Sequence, residues 1–490
     1  MTAPPLGTFP YQLDEFWDEM FEAPDRVRPH YAALSEALAM LSPADVERRQ
    51  AAADLSFAAR GVTFAVNQGA EGADKVMPFD LVPRIITARE WRTIERGLEQ
   101  RVRALNLFLH DIYHEARILS AGVIPPELVL GSRGYRREMR GLDVPLGVYT
   151  HVVGSDLVRD RNGKFYVLED NLRTPSGVSY VVENRRVLKR VWSQLFGGYD
   201  VRPVEGYAQD LLDVLRSVAP EGVDQSPTVA LLTPGVYNSA FFEHAFLAKG
   251  MGVQMVEGPD LFVDDGTLYM RTVQGPQRVD VVYRRIDDDF LDPLAFRPDS
   301  VLGVPGLLAT YRLGRVALAN AIGAGVADDK AIYAYVPSII TYYLAEEPIL
   351  PTIRTYLPTD PSELRYILEH MGELVIKSVN ESGGYGMLIG PHSTSAEREE
   401  FAQRIQANPR AFIAQPTLAL SRHPCWVDDH FEGRHVDLRP FVLFGREVRV
   451  SPGGLTRVAM RRGSLVVNSS QGGGGKDTWV LATDEAEDRT

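Results

Sequence analysis

Residues 156–177 read Asp-Leu-Val-Arg-Asp-Arg-Asn-Gly-Lys-Phe-Tyr-Val-Leu-Glu-Asp-Asn-Leu-Arg-Thr-Pro-Ser-Gly. Asn162-Gly163 lies between two runs of strand-forming residues, a strong hairpin signal because both central turn positions take positive φ. With those two residues as the turn, Asp156 falls directly opposite Glu169. Asn171, two residues further on, points to the same face. Opposed carboxylates repel and weaken a sheet. A divalent cation removes that penalty, and Asp, Glu and Asn oxygens are the hard ligands magnesium takes beside substrate phosphates. The alternative is an exposed hairpin with solvated acids. The turn-rich Leu172-Arg-Thr-Pro-Ser-Gly that follows a buried-looking Phe165-Tyr-Val-Leu run suits a site at a strand end.

The chain around this hairpin has 490 residues, too many for one hydrophobic core, and implies two or three domains or a two-lobed enzyme. With 45% hydrophobic and 24% charged residues it has an ordinary globular composition. A net charge of −13 argues against a nucleic-acid role resting on bulk electrostatics, though not against a phosphate ligand met by local cations. Cys425 is the only cysteine, so neither a disulfide framework nor a cysteine-rich metal site is available. No apolar run has the ~18 residues needed to cross a bilayer, and residues 1–10 lack a signal-peptide pattern. A cytoplasmic protein without membrane partners is the expectation.

Helical spacing runs from Phe16 to about Arg60, with Ser42-Pro43 and Asp45 as a start signal. Ile94, Leu98, Val102, Leu105, Leu109 and Ile112 mark one long amphipathic helix. The arginines of Gly131-Ser-Arg-Gly-Tyr-Arg-Arg read as a solvated face or as substrate-facing. Strand, turn, helix and strand between Thr228 and Glu257 form a βαβ unit and imply a parallel sheet. Arg284, Arg285 and Asp287 to Asp289 cluster at the end of a further strand, as salt bridges or as ligand contacts. Residues 307–323 read as helix. Leu374-Val-Ile-Lys-Ser-Val is a strand that ends at a lysine and opens onto Asn380-Glu-Ser-Gly-Gly-Tyr-Gly. Glycine loops let backbone N–H groups approach phosphate, and Lys377 adds a point charge. Neither the P-loop nor the dinucleotide fingerprint is present.

The order Asp329-Lys330 before a helix, Val-Ile-Lys377-Ser before a glycine hairpin, Ala-Gln-Pro-Thr ending a strand, and then Asp437-Leu-Arg resembles the ATP-grasp fold. In most such proteins the Glu-x-Asn pair follows the nucleotide lobes, whereas Glu169-Asp-Asn171 precedes them here. That displacement is similar to the circularly permuted ATP-grasp proteins related to glutathionylspermidine synthase. The phrases Val-Leu-Glu-Asp-Asn-Leu-Arg-Thr-Pro-Ser-Gly, His435-Val-Asp-Leu-Arg-Pro-Phe, Gly453-Gly-Leu-Thr-Arg and Gln471-Gly-Gly-Gly-Gly-Lys-Asp-Thr-Trp carry the likeness.

The resemblance implies an α/β protein with α+β lobes. Its parts would be a helical N-terminal region (1–130), the permuted metal-binding part of the core (131–200), a βαβ pre-ATP-grasp-like domain (201–325), the nucleotide-binding lobes (326–482) and a disordered tail (483–490). It implies that Lys330 and Lys377 hold the ATP phosphates, that Gly383, Gly384, Tyr385 and Gly386 form a lid, and that Gln415, Pro416, Thr417 and Leu418 read adenine. Asp156, Glu169 and Asn171 would bind Mg²⁺. Arg439, with Lys377 and Arg457, would neutralise the transferring phosphoryl group. Arg173, Ser176, Gly177, Arg284 and Asn468 are candidate substrate contacts. The glutathionylspermidine synthases carry an arginine two residues before the first metal acid. Gly154 stands there in this chain, so that role passes to Arg173 or Arg457, or the substrate differs.

The activity implied is ATP-dependent joining of a carboxylate to an amine, or to a thiol, on small molecules or peptide ends. The alternatives are a nucleotide-binding scaffold without turnover and a kinase that stops at phosphoryl transfer. Thermal-shift titration checks the nucleotide: the melting midpoint should rise with Mg·ATP and not with GTP or NADH.

Overall fold

The computed structural model describes residues 11–65, 74–223, 226–379, 386–427, 429–461, 463–464, 467 and 473–484. Its largest sheet has seven strands. In spatial order these are Phe79–Ile86, Gly474–Val480, Val448–Val458, His430–Phe444, Val152–Arg159 and Phe165–Asn171, with Arg422–Val427 paired to His430–Phe444. All neighbours are antiparallel except Phe79–Ile86, which runs parallel to Gly474–Val480. Strands from widely separated parts of the chain thus form one sheet.

The hairpin forms and sets Asp156 opposite Glu169, but by a different route from the turn arithmetic. Only Gly163 has positive φ (77°). Asp160 shapes the loop instead, its carboxylate accepting from the backbone N–H groups of Asn162 and Lys164 (2.9 Å each). The pairs beside the loop are therefore offset by one, with Arg159 opposite Phe165 and Leu157 opposite Val167. Leu168 then forms a bulge that restores the register at Asp156 and Glu169.

The βαβ reading holds. Ala317–Ala319, Val281–Arg284, Val229–Leu232 and Gln254–Val256 lie in that order as a four-stranded parallel sheet, with helix Phe241–Met251 as one crossover. The helix expected over 307–323 is a correction. It stops at Arg312, Gly314 turns the chain with positive φ, and the apolar run Ala317–Ala319 enters the parallel sheet as its edge. Residues 16–31 are a second correction, since they hold a two-stranded ladder and a 3-10 turn, and helix begins only at Ala32. The Ser42 start signal is real: Ser42 and Asp45 make a reciprocal capping box. The long helix is Ala88–Tyr113, capped by Thr87 and Glu90, with its whole predicted stripe buried. The tail is held at least to Asp484, which accepts from Arg89 N–H (2.9 Å) and pairs with Arg92 (2.7 Å).

A third, antiparallel sheet of Leu388–Ile389, Leu374–Ser378 and Phe412–Pro416 has its own small core, with Ile367 and Ile405 from the two flanking helices. A short extended segment stitches it to the hairpin. Val167 N–H donates to Pro351 O (2.9 Å), Thr352 bridges Val167, and Tyr356 bridges Ala414. This stitch brings the lysine-ended strand beside the hairpin's acids.

Asn320 joins the parallel sheet to the seven-stranded one. Its side-chain oxygen accepts from the N–H groups of His151 (2.7 Å) and Val152 (2.8 Å), and its amide donates to Val152 O (2.7 Å) and Leu172 O (2.6 Å). Replacing this buried residue by alanine leaves those two N–H groups without an acceptor, at roughly 1–3 kcal/mol each. Urea unfolding of Asn320→Ala should show a stability loss of that size, larger than for any exposed Asn→Ala control.

Candidate functional site

Alternation along His430–Phe444 puts Asp437 and Arg439 on one face, and pairing sets Arg457 directly across from Asp437. The neighbouring strand on the other side contributes Asp156. Two carboxylates and two guanidiniums therefore meet on one sheet face over three adjacent strands. Arg439 grips Asp156 through Nε and Nη2, the latter at 2.7 Å, and Arg457 Nη2 reaches Asp156 at 2.6 Å. Arg457 Nε also donates to both oxygens of Asp437 (3.0 Å each). Burial alone would push the Asp156 carboxyl up. Arg439 and Arg457 outweigh it and hold the group well below the usual aspartate range. Burial raises Asp437 despite its pairing with Arg457.

Arg439 also lies between the hairpin's acids, with Nη2 3.9 Å from Glu169. The repulsion expected between Asp156 and Glu169 is thus relieved by a guanidinium, with no ion required. At Gly154 a Cβ would sit 3.1 Å from Pro175, a tight approach, and 3.5 Å from the Arg439 Cδ, an ordinary contact.

Lys377 is half-buried and donates to Gln415 Oε1 (2.8 Å), whose amide donates in turn to Thr355 (2.9 Å). Burial pushes the Lys377 ammonium down to about 8, with Glu169 and Asp156 opposing the shift and Lys330 adding to it. Lys377 therefore stands within electrostatic reach of Lys330, Glu169 and Asp156, of which Lys330 and Glu169 line one cavity. Of the expected adenine linker, Gln415 is buried, Thr417 is tied to Glu373 O (3.1 and 2.8 Å), and Leu418 packs with Tyr166 and Leu168 of the hairpin. Pro416 ends the strand, and Gly386, the described residue of the expected lid, has positive φ. Gly383, Gly384, Tyr385 and Asn468 lie outside the described residues.

Beside this cluster is a cavity of about 230 Å³, lined by Glu169, Asn171, Arg173 and Lys330 among others. Glu169 is partly exposed to it, and Asn171 donates its amide to Gly154 O (3.2 Å), which leaves its oxygen as an acceptor. Two oxygen donors beside a lysine suit magnesium, which keeps one or two protein ligands and completes its shell with phosphate and water. Asp156 differs, since both its oxygens are held by arginines. Among the described residues no group of three or more His, Cys, Asp or Glu is placed to hold a metal. Ser176 accepts from Arg439 through its carbonyl (3.3 Å), and Gly177 N–H donates to the buried Glu243 (2.7 Å). Arg284 does not line the cavity. It is buried, and its guanidinium donates to Asn320 O (2.7 Å), Ile286 O (2.8 Å) and Ala321 O (3.0 Å) while pairing with Asp288.

Two participants were not singled out from sequence. Asp437 stood inside the Asp-Leu-Arg phrase, and the alternation that picked Arg439 also puts it on the same face. Asp328, which grips Arg173, had only its place beside Asp329-Lys330 to mark it.

A family model described as "Circularly permuted ATP-grasp type 2" matches residues 83–459. An uncharacterized protein of Synechocystis sp. is 54% identical over 96% of this chain and 98% of its own length. An uncharacterized protein of Mycobacterium tuberculosis is 51% identical over 95% of this chain and 84% of its own. A Frankia casuarinae protein named "Putative glutamate--cysteine ligase 2-2" is 44% identical over 95% of this chain, which spans about half (53%) of that protein. Among solved structures, a glutathione synthetase-like effector of Globodera pallida in its apo form superposes with a TM-score of 0.58 at 12% identity, over 90% of this chain and 98% of that one.

The arginine grip makes Asp156 a stabilising residue even without metal. Asp156→Asn removes the carboxylate that Arg439 and Arg457 share, leaving Arg457 with Asp437 alone, and should cost roughly 3 kcal/mol. Because Asp156 is depressed in the fold, its contribution is full above the ordinary aspartate range, near about pH 4. It drains away as pH falls below that. Metal-free melting curves between neutral and acid pH should show wild type losing its advantage over Asp156→Asn as the pH drops.

Proposed function

This chain belongs to the circularly permuted ATP-grasp family, and on that premise we propose that it is an ATP-dependent ligase that joins a carboxylate to an amine through an acyl phosphate. The observation that carries the reading is the meeting of Lys377 and Lys330 with Glu169, Asp156 and Arg439. Cations for a polyphosphate, oxygen donors for its magnesium and a guanidinium for the transferring group stand together.

Lys377 and Lys330 hold phosphate oxygens as point charges. Gln415, which already accepts from Lys377, orients that ammonium and ties its position to the adenine segment. Glu169 and Asn171 would hold magnesium, with Asp156 joining them only as Arg439 releases it, and the ion supplies charge neutralisation at the phosphates when bound. Arg439 is flexible enough in role to serve either its carboxylates or the phosphoryl group, while Arg457 keeps Asp437 company beneath it. The protein's contribution is positioning and electrostatics. A carboxylate oxygen attacks the γ-phosphorus as the bond to the β-γ bridging oxygen breaks, releasing ADP. An amine nitrogen then attacks the acyl carbon, phosphate leaves, and the amine's proton goes to solvent or phosphate. The ligase name of the Frankia relatives agrees with amide formation, although it describes proteins about twice as long as the part matched here.

ADP release measured with a carboxylate panel should depend on added amine, and hydroxylamine should trap a hydroxamate. ADP release indifferent to amine, with a stable phosphorylated product, would make the protein a kinase instead. A further outcome concerns Lys377. Since its ammonium titrates near about 8, ATP affinity should fall as pH rises through that value. Lys377→Ala should bind ATP more weakly by roughly 1.5–3 kcal/mol and lose this pH dependence, as isothermal titration at several pH values would report.

A further inference from the structure

The Gly131-Ser-Arg-Gly-Tyr loop forms one wall of the cavity that also holds Glu169, Asn171 and Lys330. Its backbone is pinned on both sides of Arg133. Ser132 is buried and donates through Oγ to Asp329 (2.9 Å), the residue that caps the Lys330 helix. Gly134 lies flat against Gly325, where a Cβ would come within 2.2 Å of the Gly325 carbonyl carbon. No other residue fits that approach, so Arg133 projects from a segment that cannot shift.

The neighbouring charges are already matched. Arg173 pairs with Asp328 (2.5 Å) and Asp287 (3.2 Å), and Arg136 with Asp288 (3.3 Å) and Asp289 (2.8 Å). Asp329 is held by Arg410 (2.6 Å), and Asp170 by Arg101 (2.7 Å). Arg133, by contrast, has no hydrogen bond or ion pair to any described residue. In each arginine bridge the inner aspartate is the more buried one, Asp328 at 15% side-chain exposure or Asp288 at 3%. Asp287 and Asp289 stay at the rim, 50% and 59% exposed. An exposed, unmatched guanidinium on a pinned backbone and two half-exposed carboxylates line the same cavity, which together suits a group carrying both charges.

Resting on the ligase reading, we propose that Arg133 binds the carboxylate of a zwitterionic amino-acid head group in this cavity, with Asp287 and Asp289 facing its ammonium. Guanidinium matches carboxylate in two-point geometry, which lysine cannot reproduce. The rim acids repel dicarboxylates that lack an amine, and so favour amino acids over simple organic acids.

Two measurements test this. In steady-state ADP release, amino acids should outperform acetate, propionate and succinate. Arg133→Met should raise the KM of the preferred amino acid roughly tenfold or more, with Arg133→Lys only partly restoring it and the ATP KM little changed. Asp287→Asn with Asp289→Asn should narrow the preference for amino acids over plain acids. An ATP KM that rises as much as the amino-acid KM would assign Arg133 to the nucleotide and overturn the proposal. Equilibrium dialysis against a radiolabelled amino-acid mixture in the presence of ATP needs no turnover. Wild type should retain label and Arg133→Met should not. Equal retention by both, or none by wild type, overturns the proposal even if ligation is confirmed. Retention lost in the variant without any ADP release would instead keep the receptor and defeat the ligase reading.

Discussion

Asp156, Asp437, Arg439 and Arg457 form a buried quartet on which the site's geometry rests. A charge taken out of water is costly unless it is paired and hydrogen-bonded, and breaking one partner away leaves the others exposed to that cost. Here each guanidinium meets a carboxylate on an adjacent strand, so the quartet locks the register of three strands together. That register in turn fixes Glu169 and Asn171 at the mouth of the cavity. Under the proposed ligase reading, the arginine that holds Asp156 would also face the transferring phosphoryl group. Structural and chemical roles would then compete for one side chain, the kind of compromise expected at functional sites.

The short-range patterns in the chain were legible. Alternation and turn residues located the hairpin, 3.6-residue spacing located the Ala88–Tyr113 helix, and a cap signal located the helix at Pro43. The opposed acids emerged as expected because the loop's one-residue offset and the Leu168 bulge cancel, a coincidence that no pattern rule contains. What periodicity missed were cases where tertiary contacts decide. The run Ala317–Ala319 carries residues equally at home in a helix, and only the vacant edge beside Val281–Arg284 makes it a strand. Arg284 looked like a ligand contact because it stands at a strand end among acids. Its actual task, gathering three carbonyls, depends on residues brought in from elsewhere in the chain.

Site residues contributed by distant segments divide along the same line. Lys377 and Glu169 were each recognisable by type, yet what brings them together is a three-residue stitch through Pro351 and Thr352 that has no signature of its own. Asn320 is similar, since one asparagine looks like any other until four backbone groups are found around it.

The parallel pairing of Phe79–Ile86 with Gly474–Val480 has a consequence for how the molecule is made. Gly475 sits opposite Phe79, so this strand's partner is synthesised long after the strand itself. Until then one edge of the sheet lacks its neighbour, and long-range pairings of this kind close slowly because the loop entropy comes before the contact. During that interval the buried strand Phe79–Ile86 is an apolar edge of the sort that recruits other chains. Its side chains are already sheltered in part by the capped helix Pro43–Ala59, which lies against it and is complete long before Gly474–Val480 emerges.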